Sequence, residues 1–171
     1  MQNHRSYVKA MTLAAACGSK IALGPALLSQ TRRWPSRRNW ALAAMGEMLL
    51  DKMGVFPPRY RPSLLIPHSL AGAWVAHESL KEDGIDDPWS PMMGAAVAAG
   101  VAVGAPLVRM AAQRVLGVPD ALLGVAEDGL TLSIASRNLD LSPHDLAGAA
   151  RESVEGLRER AQPTLSAVGL G

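Results

Sequence analysis

The sequence has too little cysteine for a disulfide-stabilised or metal-clustered protein and too little net positive charge to indicate a nucleic-acid-binding one. Only one of its 171 residues is cysteine, which excludes an internal disulfide and a cysteine metal cluster. Aromatic residues make up 4%, so the apolar share of 49% comes mainly from Ala, Leu, Val and Met, which favour helix over strand. The net charge of +2 is too small to indicate nucleic-acid binding. The composition predicts one all-α domain.

Charged side chains are missing from long stretches. Residues 89–108 contain no Asp, Glu, Lys or Arg and show no polar face at helical spacing. Residues 62–77 form a second charge-free stretch, broken by Pro67, and residues 9–31 are interrupted at their centre by Lys20. Because a crossing helix needs about 20 mostly apolar residues, these stretches predict three membrane crossings. A buried core helix of a soluble protein is the alternative for residues 89–108.

Two further helical stretches, residues 39–53 and 119–135, carry charges in apolar surroundings. Both are short for a full crossing, so five crossings remain the alternative to three. Acidic side chains inside a membrane usually face the protein interior or a wet cavity. The candidate ion or substrate site therefore consists of four carboxylates with two lysines as counter-charges: Glu47, Asp51, Glu127 and Asp128, with Lys20 and Lys52.

Two interpretations of these carboxylates are open. Glu47 and Asp51 lie four residues apart on one helix face, where like charges repel unless a proton or cation compensates them. The functional interpretation is a polar centre that binds a cation or relays protons, and the structural one is a set of buried ion pairs, in which Lys20 would pair with Glu47. The sequence predicts both Glu47 and Glu127 in one central cavity.

Catalytic signals are scarce. His68 and His77 lie nine residues apart, on opposite helix faces, and no metal-binding, nucleophile or nucleotide-binding motif is present. We therefore expect no enzyme activity, no catalytic residue, no metal and no cofactor. Membrane lipid is the expected partner, nucleic acid is not, and a homo-oligomer remains an open alternative.

A stripe of small residues predicts close helix packing. Ala96, Gly100 and Gly104 recur every four positions in the most apolar stretch, and such faces let helix backbones approach closely in lipid. We expect this stripe to form a helix-packing contact, either within the chain or between subunits.

The loops and the tail suggest an orientation. Residues 30–38 carry four arginines and no acid, whereas residues 78–88 carry five acids and one lysine. The excess of positive charge on cytoplasmic loops predicts that these two loops lie on opposite sides of the membrane. Residues 1–137 are expected to form the helical membrane domain, and residues 138–171 a polar tail with an amphipathic surface helix that starts at Ser142 and Pro143.

An internal duplication is also predicted. Shifting the chain by 80 residues places Gly24 on Gly104 and Glu47 on Glu127. The match passes through two helices, although alanine coincidences contribute to it.

Four segments resemble the successive motifs of a bacterial family of small integral membrane proteins, catalogued as domain of unknown function 4126. They are GPALLSQ (24–30), GEMLLDKMGVFPPR (46–59), SLAGAWVA (69–76) and VPDALLGVAEDGLTL (118–132). The resemblance covers about residues 7–135 and implies a helical membrane fold without supplying an activity. Lys20 stands where the family is expected to carry an arginine.

These observations favour a multi-pass protein of the inner (plasma) membrane. A small transporter or ion-coupled permease that uses intramembrane carboxylates is the sharper hypothesis, since carboxylates on broken, duplicated helices are typical of transporters. A membrane scaffold or accessory subunit with structural charges is the second, and a soluble helical binding module is the third.

Overall fold

The fold is entirely helical over the part of the chain that the structure describes. A computed structural model describes residues 2–53 and 61–167, and within these ranges the chain forms seven helices and no strand. The all-α prediction is confirmed. The helices are α1 (Gln2–Ser19), α2 (Leu23–Thr31), α3 (Arg37–Lys52), α4 (Pro62–Glu82), α5 (Ser90–Leu116), α6 (Asp120–Leu139) and α7 (Pro143–Ala167).

The first apolar stretch is a helical hairpin. Helix α1 ends at Ser19, and α2 runs back alongside it. The two helices lie so close together that a Cβ on Gly24 would be 2.2 Å from Sγ of Cys17 and 2.7 Å from the carbonyl oxygen of Leu13. Pro25 lies in the first turn of α2, where the missing N–H removes no helical hydrogen bond. The prediction that residues 9–31 form one crossing is therefore wrong.

Helices α4 and α5 pack through small residues, but through a different face from the predicted one. A Cβ on Gly94 would lie 2.4 Å from the carbonyl oxygen of Gly72, and one on Gly72 would lie 2.4 Å from Cβ of Ala98. This close approach requires glycine on both helices. The stripe of Ala96, Gly100 and Gly104 faces away, since Ala96 and Gly100 are exposed.

The prediction of a packing stripe within the chain is therefore wrong for these three positions. A Cβ on Gly100 or Gly104 would meet no atom within 4 Å. Small residues lie on two faces of α5. The face with Gly94 is the one that packs against α4, because Gly72 lies opposite it. A contact between subunits through Gly100 stays a prediction.

The basic and acidic loops lie at the same end of the bundle, which we call the Arg32 end. Arg32 pairs with Asp83, and its Nε lies 2.8 Å from Glu82. Burial alone would raise the pKa of Asp83, but hydrogen bonds from Arg32 and Ser6 lower it below its usual value. The prediction that residues 30–38 and 78–88 lie on opposite sides is wrong, because the hairpin returns the chain to its starting end.

The C-terminal helices begin where the sequence predicts. Helix α6 starts directly after Pro119 and continues to Leu139, past the predicted domain boundary at residue 137. Helix α7 starts after Ser142, whose backbone N–H and hydroxyl both donate to Asp145 at 2.8 and 2.7 Å. These hydrogen bonds lower the pKa of Asp145 and hold the helix start. Residues 54–60 and 168–171, part of the predicted second loop and tail, lie outside the described residues.

The segments of the predicted duplication fold differently. Gly24 follows the turn of the α1–α2 hairpin, whereas its partner Gly104 lies inside the continuous helix α5. Glu47 and Glu127 both lie within helices, on α3 and α6. The duplication therefore stays a prediction.

One helix of the described residues is long and apolar enough to cross a membrane. This helix is Ser90–Leu116, and only 17% of its most apolar window is buried inside the bundle. Length and composition thus support one of the predicted crossings, and the crossing by residues 62–77 stays a prediction.

Two glycines of α5 test the packing. Gly94→Ala places a methyl group against Gly72 and Ala76, which should lower the free energy of unfolding by about 1–3 kcal/mol. Gly100→Ala, the matched control, meets no atom and should be neutral or stabilise the helix by up to about 1 kcal/mol. Thermal unfolding followed by circular dichroism measures both, and equal effects would contradict the packing face described above.

Candidate functional site

A buried lysine lies at the turn of the α1–α2 hairpin. The side chain of Lys20 is 1% exposed, and its Nζ lies 3.2 Å from a carboxylate oxygen of Asp51 on α3 and 3.1 Å from one of Asp128 on α6. Asp128 also pairs with Lys52 of α3. A buried charge is tolerated only when opposite charges compensate it. Lys20 therefore ties the hairpin turn to two other helices.

Glu47 holds the same turn through the backbone. Its two carboxylate oxygens each accept a hydrogen bond of 2.8 Å, one from the N–H of Ile21 and one from that of Ala22. These N–H groups belong to Ala22, the N-cap residue of α2, and to the residue before it, where a negative charge is favourable. The predicted pairing of Glu47 with Lys20 is replaced by this capping role, and Lys20 pairs with the two aspartates.

Arg109 of α5 adds a third cation to the cluster. Its Nε donates to Asp120 at 2.6 Å, and its Nη1 lies 3.9 Å from Asp51 and 3.7 Å from Glu127. Ser19 donates to the other oxygen of Glu127 at 3.1 Å. Arg109 thereby connects α5 to carboxylates of α3 and α6.

A cavity of about 170 Å³ adjoins Lys20. Its polar lining comes from the side chains of Lys20, Glu47, Asp51 and His68. His68 of α4 is buried, and its Nδ1 donates to the carbonyl oxygen of Cys17. Because a carbonyl oxygen only accepts, Nδ1 carries a proton in this contact. The cavity holds room for a few water molecules or one small solute.

The structure brings the six predicted site residues to the region of the hairpin turn, but it does not place Glu47 and Glu127 in one cavity. Glu47 lines the cavity beside Lys20, whereas Glu127 lines a different one between α1, α5 and α6, so the prediction of one central cavity for both is wrong. Glu47, Asp51 and Lys52 come from α3, Glu127 and Asp128 from α6, and Lys20 from the hairpin turn. Among the described residues, no group of three His, Cys, Asp or Glu side chains has the arrangement of a metal site. The arrangement places polar side chains around a cavity that is large enough for a small polar guest.

Sequence reasoning missed two members of this site. Arg109 is the first charge after the charge-free residues 89–108, and a single arginine at the end of an apolar helix is a signal that could have found it. His68 gives no such signal, because its partner is a backbone carbonyl on another helix.

Comparison with known proteins finds no match to a family model, to a curated protein or to a solved structure. The assignment of a function therefore depends on the geometry of the site.

The pairing of Lys20 can be measured with a double-mutant cycle. Lys20→Met leaves two aspartates without their buried cation and should lower the free energy of unfolding by about 3–5 kcal/mol. Adding Asp128→Asn should recover part of this loss, with a coupling of about 0.5–3 kcal/mol. The matched control adds Glu47→Gln, which should recover less because Glu47 serves the backbone. A larger coupling of Lys20 to Glu47 than to Asp128 would contradict the assigned contacts.

Proposed function

We propose that this chain is an integral membrane protein that carries a small ion or polar solute through the cavity beside Lys20. The single observation that carries this proposal is a buried charge combined with exposed large apolar side chains. The largest of the fully buried side chains is a lysine, 1% exposed, whereas Leu70 and Val108 are 65% and 70% exposed. In water this arrangement would be costly, since large apolar side chains belong inside and charges outside.

The exposed large apolar side chains are most numerous on α5. This helix contributes eight of them: Met92, Met93, Val103, Leu107, Val108, Met110, Val115 and Leu116. The others are distributed over α1, α3, α4, α6, α7 and the residues between helices. Many exposed apolar side chains on one long apolar helix favour contact with another apolar phase, and lipid is the phase that we propose.

The hairpin supports transport over a purely structural membrane role. Gly18 packs against Ala98 and Val101 of α5, so the turn at Lys20 lies well before α5 ends at Leu116. Backbone that leaves the helix inside a membrane is tolerated where it is buried in protein or lines a cavity. Half-helix ends that face a polar cavity are a recurring construction of transporters.

A membrane scaffold or accessory subunit is the second candidate. The observation that favours it is the pairing within the cluster: Asp51, Asp128 and Glu127 each lie within 4 Å of a cation, and Glu47 binds two N–H groups. In this role the charges fix the helix arrangement, and no solute crosses.

Charge movement across proteoliposome membranes separates these candidates. The purified chain is reconstituted on a solid-supported membrane and exposed to jumps in pH, in alkali cations and in small organic acids and amines. A carrier produces a transient current in at least one of these jumps. The double variant Lys20→Met/Asp128→Asn, which we expect to be more stable than Lys20→Met alone, should abolish that current.

The control is Gly100→Ala, which alters a position away from the cavity and should keep the wild-type current. A wild-type protein that stays silent in all jumps, or a current that persists in the double variant, would remove the carrier proposal. Release of the expressed chain from membranes by carbonate washing would remove both membrane candidates.

A further inference from the structure

A second cavity lies on the outer side of the bundle, between α1, α5 and α6. We call it the α1–α6 cleft, and its volume is about 590 Å³. Its walls are apolar side chains of three helices, among them Val8, Met11, Val101, Leu130 and Ile134. The cleft is separate from the cavity beside Lys20, because none of the residues that line one lines the other.

One carboxylate lies in this apolar cleft. Glu127 lines it with a side chain that is 17% exposed, and no Lys or Arg belongs to the described lining. Ser19 donates to one oxygen of Glu127 at 3.1 Å and so fixes the orientation of the carboxylate. Arg109 reaches the other oxygen at 3.7 Å but does not line the cleft, and its Nε and Nη2 are held by Asp120.

The remaining polar groups of the lining are engaged or peripheral. The hydroxyl of Thr12 donates to the carbonyl oxygen of Val8 at 2.8 Å, and that of Thr131 donates to the carbonyl oxygen of Glu127 at 2.9 Å. The hydroxyl of Tyr7 donates to Asp87 at 2.7 Å, and His4 lies exposed in the first turn of α1. Glu127 is thus the one acidic side chain among the described lining residues, and a guest in the cleft meets its carboxylate beside the hydroxyl of Ser19.

We propose that the α1–α6 cleft binds lipophilic monovalent cations, molecules with an apolar body and one positive charge. The apolar walls match the body, and the carboxylate matches the charge in surroundings where water screens little. This inference rests on the membrane location proposed above, because such guests reach the cleft from the apolar phase. It goes beyond the proposed function, because the cleft is separate from the cavity beside Lys20.

Two probes of equal shape and opposite charge test this site. Tetraphenylphosphonium is an apolar cation, and tetraphenylborate is an anion of nearly the same size and shape. Binding of radiolabelled tetraphenylphosphonium to the full chain in a nonionic detergent is measured by equilibrium dialysis. We expect saturable binding of one cation per chain, with no competition from tetraphenylborate.

Three variants locate the site. Glu127→Gln removes the charge, keeps an oxygen that accepts from Ser19, and should weaken binding about tenfold or more. Ala105→Leu adds volume to the wall of the cleft and should weaken binding without changing any charge. Ala111→Leu, on the exposed side of the same helix, is the matched control and should bind as the wild type does.

Absence of saturable binding, or binding unchanged by Glu127→Gln, would overturn the proposal. Equal competition by tetraphenylborate would also overturn it and would identify the cleft as a site for any apolar chain, including a lipid acyl chain. If Glu127→Gln fails to fold, Ala105→Leu against Ala111→Leu still decides whether the cation occupies the cleft. If the protein binds the cation but gives no current in the proteoliposome assay, the proposed carrier function is contradicted and the proposed binding site is not.

Discussion

The buried charge of Lys20 is the constraint on which the rest of this structure depends. A lysine that is 1% exposed requires anionic partners, and these come from α3 and α6, so three helices must meet at one point. Glu47 reinforces the same point by capping the start of α2. The hairpin, the order of the helices around it and the cavity beside it follow from this arrangement.

Charged and small residues together define the packing of the bundle. Charges gather at the hairpin turn, α4 and α5 meet through Gly72 and Gly94, and many large apolar side chains are exposed although the core is also apolar. If the chain lies in lipid, as we propose, close packing of small residues replaces the hydrophobic driving force that water supplies. The two proposed sites lie on either side of the end of α1, because Ser19, its last residue, lines the α1–α6 cleft and Lys20, the next residue, lines the other cavity.

Local signals predicted the helices, whereas the site depends on contacts between distant residues. Pro119 and Ser142 mark helix starts correctly, because proline and capping side chains act on their immediate neighbours. The turn at Ile21 is held by a carboxylate 26 residues away in the sequence. Because no neighbouring residue marks the turn, residues 9–31 were interpreted as one apolar stretch. Six charged residues of the cluster, though not Arg109, were predicted because charges in apolar surroundings need compensation. Which partner each one takes depends on the tertiary fold. Nothing local distinguishes the buried Gly94 from the exposed Gly100.

Thiol labelling from each side of the membrane tests the central claim that the loop after α2 and the loop after α4 lie at the same end of the bundle. Single cysteines replace Arg38, Asp86 and Arg114, all exposed, in a Cys17→Ala background, and sealed vesicles of both orientations are treated with an impermeant maleimide. Our account predicts that the cysteines at positions 38 and 86 react from one side and the cysteine at position 114 from the other. Labelling of positions 38 and 86 from opposite sides would contradict it.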